Sequence, residues 1–531
     1  MTVLTEMEFH SRHNRSISTE KRLWYSMQTE FYGATPAPIG VDDPHLIVLD
    51  CDRLHILPLK TRQVWRIGRA NPANPDIALH SSIVSREHGW IQYQNGTWYY
   101  LDHPNNTNGT FYNGRKLPKT KTFDAVPLRT GDMLRIDSAQ PGTHNKDSVL
   151  MLFSTMPEQG QWTFLSLQGK SQVTIGRDPA SDIVEPLPYV SARHAKIQYR
   201  DGRYILSDTK SRAGTFLNGK PVTSPVALGP KDCISICGRN IFFMGAQLLY
   251  AAMDQQKRKA AFTYSKPHER PVVLKANIAT KTVKSNTGSG TKELIRDINL
   301  EIREGTLVAL LGSAGAGKTT VMNCLNGMEL TGVQGSVIYR NVDLTQNFEQ
   351  MMHMIGSVPQ VKTFRPNFTP RWEFYIAAKK RLPADTSTKE INERVENTLN
   401  MLHINGVANS RNRKLSGGEQ TRVNIGIELV ADRDLLCLDE PDQGLSPNYK
   451  HELFQIMRDL AHKDGKSILA IVHDVSEIDM FDQVIMLGKL DGVGRLAFSG
   501  TPAEARQYFG VTDFSDVYKR LEENPARYIR R

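Results

Sequence analysis

The segment GSAGAGKTT, Gly312 to Thr320, sets glycines, a lysine and hydroxyls at a spacing suited to phosphate chemistry. It fits the pattern G-x-x-x-x-G-K-[ST], whose glycines let successive backbone N–H groups turn inward around phosphate oxygens. The loop residues Gly312, Ser313, Ala314, Gly315, Ala316, Gly317, Lys318, Thr319 and Thr320 are therefore the candidate binders of a nucleoside triphosphate. Lys318 would place a point charge against the β- and γ-phosphates, and the Thr319 hydroxyl would reach Mg²⁺. Downstream, LLCLDE (Leu435 to Glu440) reads as a buried strand ending in two carboxylates. Two acids at the end of an apolar strand are costly unless a metal or a base role offsets them. Asp439 is the candidate for the metal shell, and Glu440 for the base that orients or deprotonates the attacking water.

These residues need elements to hold them. VALLG before the loop reads as a strand and KTTVMNCLNG after it as a helix, a context that turns a chance pattern into a phosphate site. A long helical stretch follows at about 370 to 405, then strand–helix units at LLCLDE and SILAIVHD. Alternating buried strands and helices indicate a parallel α/β sheet.

From 45 to 250 the pattern changes to short alternating strands with Gly, Asn, Asp and Pro turns, the signature of a β-sandwich. This region repeats itself. WRIGR, VSREHGWIQY and TNGTFYNGRKL return as VTIGR, VSARHAKIQY and RAGTFLNGKPV. The pairs Gly68/Gly176, His88/His194 and Gly109/Gly214 lie 105 to 108 residues apart, which means two copies of one domain. Residues 1–44 read as a flexible extension and 251–271 as a basic, polar linker ending in proline.

Length and composition agree with several folded domains. At 531 residues the chain is too long for one domain, and 39% hydrophobic with 23% charged residues is the balance of a globular protein, not a disordered one. The net charge of +10 suits acidic partners, but it is spread along the chain and forms no long run. No apolar run long enough to cross a membrane appears, and the N-terminus has no secretory core segment. Five scattered cysteines, without framework spacing, point to a reducing cytoplasm; Cys233 and Cys237 in CISIC read as packed thiols, not metal ligands.

LSGGEQ, Leu415 to Gln420, resembles the signature motif of the ATP-binding-cassette (ABC) family, and its spacing to the acidic pair matches. The resemblance covers roughly 272–510 and implies an α/β P-loop nucleotide-binding domain with a helical subdomain, using ATP and Mg²⁺. It makes Gln360, in GSVPQ, the Q-loop glutamine that joins Thr319 and Asp439 around Mg²⁺. It makes His473, in IVHD, the switch histidine beside Glu440 and Lys318 in catalysis. Ser416, Gly417 and Gly418 would act in trans, capping a helix whose positive end faces the ATP of a second cassette in a head-to-tail homodimer. LNGMELTGVQGSVIYRN, the RLP at Arg381 to Pro383 and GRLAFSGTPAEARQYFG resemble exporters of the white (ABCG) type. The chain departs from the family pattern at Ser446, where an aspartate is usual, at Asp442, and in VLKANIATKTVK, which lacks an adenine-stacking aromatic; Tyr264 is the nearest one upstream.

Both β-repeats resemble the forkhead-associated (FHA) domain, which reads phosphothreonine from loops at one end of a sandwich. A guanidinium fork with hydroxyl and amide donors suits a dianionic phosphate. In the first copy the resemblance assigns Arg69, Ser85, Arg86 and Thr107 to the phosphate and Asn108 to the peptide backbone, with His88 tying the loops together. The second copy keeps Arg177, Ser191 and His194, has Ala192 and Arg212 in place of Arg86 and Thr107, and has Ala213 where the first has asparagine. It is expected to bind weakly or to serve as a packing platform.

The fold class is thus multidomain: two all-β FHA sandwiches, 45–154 and 155–250, a linker, an ABC domain at 272–510 and a C-terminal tail at 511–531. The order resembles the mycobacterial FHA–ABC exporters, which are regulated by serine/threonine kinases and continue into a membrane domain. This sequence stops at NPARYIRR, so the membrane domain is expected either on a longer chain or as a separate subunit. The expected function is the cytoplasmic ATP-hydrolysing subunit of an exporter at the inner face of the membrane. Its expected partners are phosphothreonine proteins and a Ser/Thr kinase, with no nucleic acid. The alternative is a non-transport ABC ATPase acting as a phospho-dependent signalling scaffold. Thr263, Thr280, Thr282, Thr287 and Thr291 are candidate phosphorylation sites, although they read first as ordinary solvated linker residues.

Overall fold

The computed structural model describes residues 44–529 except 52, 71–74, 95–96, 114, 120–123, 129–131, 139–146, 155–160, 253–265, 268–269, 285–289 and 341. The expected extension, apart from its last position, lies outside the described residues, as do Thr263, Tyr264 and Thr287.

The first β-domain packs two sheets face to face. One runs Arg53–Pro58, His45–Asp50, Val149–Ser154, Met133–Ile136, Thr110–Tyr112, Arg115–Lys116 in spatial order. The other runs Ile77–Leu79, Val64–Arg69, Gly89–Gln94, Thr97–Asp102, Asp124–Leu128. Alternation explains the inner face: along Thr97–Asp102, Trp98, Tyr100 and Asp102 point in and their neighbours are only half-buried. The second β-domain has the same two-sheet build, with six strands on one side and five on the other.

His45–Asp50 and Val149–Ser154 are buried at every position, so both of their faces are covered. Their outer residues Ile47, Leu49, Leu150 and Leu152 pack on Cys233, Phe242 and Leu249 of the second β-domain. Buried Arg135 locks this seam, donating to the carbonyls of Pro230 and Lys231 and to Ser148 Oγ.

The cassette strands are β1 (Val272–Lys284), β2 (Thr291–Arg303), β3 (Leu307–Gly312), β4 (Val333–Tyr339), β5 (Val342–Asp343), β6 (Ile355–Val358), β7 (Leu435–Asp439), β8 (Ser467–Ile471), β9 (Gln483–Leu490) and β10 (Val493–Gly500). They form one sheet ordered β5-β4-β1-β2-β10-β9-β3-β8-β7-β6. The side from β9 through β3, β8 and β7 to β6 is parallel, and β3 and β8 are buried along their whole length, as expected for strands covered on both faces.

Nine helices of this domain are described: α1 (Lys318–Leu325), α2 (Leu344–Met351), α3 (Pro370–Arg381), α4 (Thr388–Met401), α5 (Gly417–Leu429), α6 (Pro447–His462), α7 (Pro502–Phe509), α8 (Asp516–Glu523) and α9 (Pro525–Tyr528). The long helical stretch expected at 370–405 is therefore two helices. Pro383 interrupts the pattern and Ser387 caps α4, its side chain accepting from Glu390 N–H. Among the described residues no helix is long and apolar enough to cross a membrane.

Two expectations need correction. Residues 511–529 of the expected C-terminal tail are part of the cassette: Phe514, Val517, Leu521, Tyr528 and Ile529 are buried in its core. Gly488 makes room for this packing, since a Cβ there would lie 2.6 Å from Ile529 Cδ1. Nor are Thr280, Thr282 and Thr291 linker residues: all three are paired in the ladder between β1 and β2, opposite Arg296, Glu293 and Lys284.

Candidate functional site

The loop at Gly312–Thr320 joins β3 to α1, so its position is fixed by the parallel core. Gly312, Gly315 and Gly317 have φ of 154°, 74° and 88°, backbone that an L side chain rarely adopts. Packing also demands glycine: a Cβ on Gly312 would sit 2.6 Å from Leu487 O, and one on Gly317 2.6 Å from Ile295 Cγ2. Lys318 Nζ donates to Gly312 O at 2.8 Å and Ser313 O at 3.3 Å. Burial pulls its pKa down, against the opposing pull of Glu440 and Asp439.

β7 delivers Asp439 and Glu440 to the same end of the sheet. Burial, and then the neighbouring Glu440 charge, push the Asp439 carboxyl above its usual range, while His473 and Lys318 oppose the shift. Glu440 has φ 47°, a left-handed conformation uncommon for a non-glycine residue. Its carboxylate is held on both oxygens: His473 Nε2 lies 2.6 Å from Oε1, and the amides of Gln360 and Gln443 donate to Oε2 at 2.9 and 3.0 Å. Gln360 also donates to Gln443 Oε1 at 3.0 Å. Glu440, His473 and Gln360, expected as catalytic partners, are thus brought together.

Sequence reasoning missed Gln443 and Lys489. Gln443 closes the ring through a turn in which its N–H bonds Glu440 O. Lys489 of β9 approaches the phosphate loop: a Cβ on Gly315 would lie 3.7 Å from its Nζ. The only prior signal for Gln443 was its position three residues after Glu440, and a lone lysine at a strand end gave none.

Ser416 is the N-cap of α5. Its side chain accepts from Glu419 N–H while the Glu419 side chain receives the Ser416 N–H, a complete capping box. Gly417 and Gly418 face Leu445 and Tyr449 at the start of α6. The segment after Gln360 reaches the same helix: Lys362 Nζ donates to Gln420 Oε1 at 2.6 Å and Thr363 N–H to Asn424 Oδ1 at 2.9 Å. The grip on Glu440 and the signature helix are therefore joined by one short segment. Ser446 begins α6 without a side-chain cap, and the buried Asp442 carboxyl is pushed up by burial.

In the first β-domain Arg69, Ser85, Arg86, Thr107 and Asn108 converge on the loops at one end of the sheets. Ser85 Oγ accepts from Thr107 N–H at 2.9 Å, Arg69 Nη1 donates to Ser82 O at 3.5 Å, and Asn108 Nδ2 donates to Ile83 O at 2.6 Å. Arg86 and Thr107 are exposed. His88 is fully buried beneath them, accepting from Ser85 N–H at 3.2 Å and meeting Thr110 Oγ1 at 3.3 Å, as its loop-tying role requires. The second domain repeats this: Ser191 Oγ accepts from Arg212 N–H at 3.1 Å, and His194 accepts from Ser191 N–H at 3.2 Å. Ala213 is buried. Arg177 donates to Val190 O, and both Arg177 and Arg212 also reach the cassette. Cys233 and Cys237 are buried, their thiols pushed far up by burial. Among the described residues no cluster of three or more His, Cys, Asp or Glu is placed to hold a metal.

Comparison with known proteins identifies the domains. Residues 295–443 match the ABC transporter family model, and residues 65–137 and 173–237 match the FHA domain model. The ABC transporter ATP-binding/permease protein Rv1747 of Mycobacterium tuberculosis is 29% identical over 365 residues, 68% of this chain and 39% of that protein. ABC transporter G family member 21 of Arabidopsis thaliana is 30% identical over 278 residues, 49% of this chain and 40% of that one. The chain thus spans about two fifths of the length of these curated relatives. Among solved structures, the dimeric post-hydrolysis state of the ATP-binding cassette MJ0796 bound to ADP and Pi is 24% identical with a TM-score of 0.38, covering 43% of this chain and 98% of that one. The chain thus carries an ABC transporter ATP-binding domain preceded by two forkhead-associated domains.

Proposed function

We propose that this protein hydrolyses ATP to drive an exporter and that its first FHA domain gates that work by binding phosphothreonine. The observation that carries the enzymatic part is the three-sided grip on Glu440 beside the phosphate loop. Backbone N–H groups of the loop and Lys318 hold the β- and γ-phosphates. Asp439, Thr319 and Gln360 would hold Mg²⁺, which neutralises phosphate charge. The adjacent Asp439 and Glu440, with Asp439 pushed up, carry the excess negative charge that a divalent cation offsets. Glu440 takes the proton of the attacking water, and Gln360 and Gln443 fix the direction of its lone pair. His473 stabilises the charge that builds on the γ-phosphate.

Ser416, Gly417 and Gly418 complete the site of a second copy, so the working unit is a homodimer of cassettes. Its work is passed to a transmembrane exporter domain, on the same longer chain or a separate one, at the cytoplasmic face of the cell membrane. Phosphothreonine on a partner, written by a Ser/Thr kinase, docks at Arg69, Ser85, Arg86, Thr107 and Asn108.

Two substitutions test these halves separately. Glu440→Gln keeps the hydrogen bonds but not the base, so turnover should fall by about 10²–10⁴-fold. ATP binding should survive, and the chain should accumulate as an ATP-bound dimer; undiminished turnover would remove Glu440 from its role. Arg69→Ala should abolish binding of a phosphothreonine peptide without changing the unfolding transition, and retained affinity would move the reading site elsewhere.

A further inference from the structure

The two FHA domains present their reading loops to different surroundings. In the second, the loops meet the cassette. Arg177 Nη1 pairs with Glu390 Oε1 at 2.9 Å, Arg212 Nη2 donates to Lys380 O at 2.6 Å, and the Arg193 N–H donates to Asp385 Oδ2 at 3.2 Å. All three acceptors lie in one short segment: the last turn of α3, the α3–α4 connection and the first turn of α4. A carboxylate offers a guanidinium and a backbone N–H what a phosphate face offers, namely charged oxygen acceptors in a plane.

We propose that the ligand of the second FHA domain is this segment of its own chain, with Asp385 and Glu390 standing where a phosphate would. The domain is then a clamp on the helical part of the cassette. This goes beyond the function proposed above and does not depend on the first FHA domain.

Three further observations fit. Ala213, which stands where the first copy has Asn108, is buried in a core shared with cassette residues and offers no side-chain amide to a peptide. Thr386, inside the docked segment, has its hydroxyl buried without a hydrogen-bond partner; the loop is held in place although one polar group goes unsatisfied. The domain is also fastened to the sheet side of the cassette, where buried Tyr189 donates to Asp434 Oδ2 at 3.3 Å. Two attachment points, one at the start of β7 and one on α4, make a bridge between the catalytic sheet and the helices. The bridge reaches the signature helix through Arg381, within the docked segment, which donates to Ile427 O at 2.9 Å and pairs with Glu428 of α5.

The test is amide hydrogen exchange on the full chain. Arg177→Glu and Glu390→Arg should each raise exchange across 383–394 about tenfold, and the double variant should restore protection. Arg212→Ala, on the exposed rim, keeps the test open if charge reversal at 177 unfolds the domain; it should raise exchange in the same segment about threefold. Unchanged protection in these variants, or a double variant no better than the singles, would overturn the assignment. So would a phosphothreonine peptide that binds the Arg69→Ala chain while 383–394 stays protected. Binding that appears only as this protection is lost would support it, because peptide and loop then compete for one face.

Discussion

His88 shows how one buried side chain ties recognition to pH. Burial pushes its pKa down to about 4, against the Asp102 charge that favours the cation. Its Nδ1 accepts from Ser85 N–H, so the ring must be neutral there for the reading loop to hold its shape. An unfolded histidine titrates near pH 6.5, so acid favours the unfolded chain. The stabilisation is complete above about pH 6.5 and erodes as pH falls toward 4, by on the order of 3 kcal/mol in total. Unfolding of the first FHA domain followed from pH 7.5 to 4 should show that slope, and His88→Gln should lose the part of it above pH 5. An unaltered slope would place the proton uptake elsewhere. His194 is pushed down by burial in the same way and adds the same behaviour to the second domain. At this scale the chemistry was largely legible. Lys318, Asp439 and Glu440 stood out by residue type and spacing, and Gln360 and His473 by family resemblance, and the fold brings these side chains to one end of the sheet. Gln443 and Lys489 were not legible, because their roles exist only after the turn at Glu440 closes and β9 pairs beside β3, Gly312 opposite Leu487.

Among the elements, the contact of α3 with α5 sets the shape of the helical part. Gly426 lies in α5 where a Cβ would meet Phe374 Cζ at 2.1 Å and Leu402 Cδ1 at 2.8 Å. Gly426→Ala gains about 1 kcal/mol of helix propensity and meets an overpacking cost of about 1–3 kcal/mol or more. Phe374 is fully buried and has no room to yield, so the net effect should be destabilising by denaturant unfolding of the cassette. A neutral or stabilised variant would mean the two helices separate more readily than their packing implies. Element boundaries were less legible than motifs. Pro383 and Ser387 carried the signal that splits α3 from α4, but the surrounding helical residues outweighed it. The C-terminal helices were hidden because α8 has only two buried residues, Val517 and Leu521, among charged ones. Thr280, Thr282 and Thr291 read as linker because the polar β1–β2 ladder resembles loop composition.

For the whole molecule, the repeat made two β-domains readable before any coordinates, but not that HLIVLD and VLMLFS are covered on both faces. What covers them was not readable, because a seam such as Arg135 against the carbonyls of Pro230 and Lys231 joins residues with no sequence relation. The seam between the second FHA domain and the cassette is of the same kind. Gly238 packs so tightly on Val342 and Met351 that a Cβ would lie 3.2 Å from each, and both of those side chains are buried.

That seam bears on how the chain is made. Synthesis runs from the N-terminus, so the FHA pair leaves the ribosome as folded units before β5 and α2 of the cassette exist. The later half then closes on a finished apolar surface, and the β-domains act as a built-in folding template. Residues 266–531 expressed alone should leave Val342 and Met351 without cover and self-associate, as read by sedimentation. Supplying residues 44–252 in the same cell should recover soluble cassette; failure to do so, or a cassette that is soluble alone, would mean the β-domains are not its template.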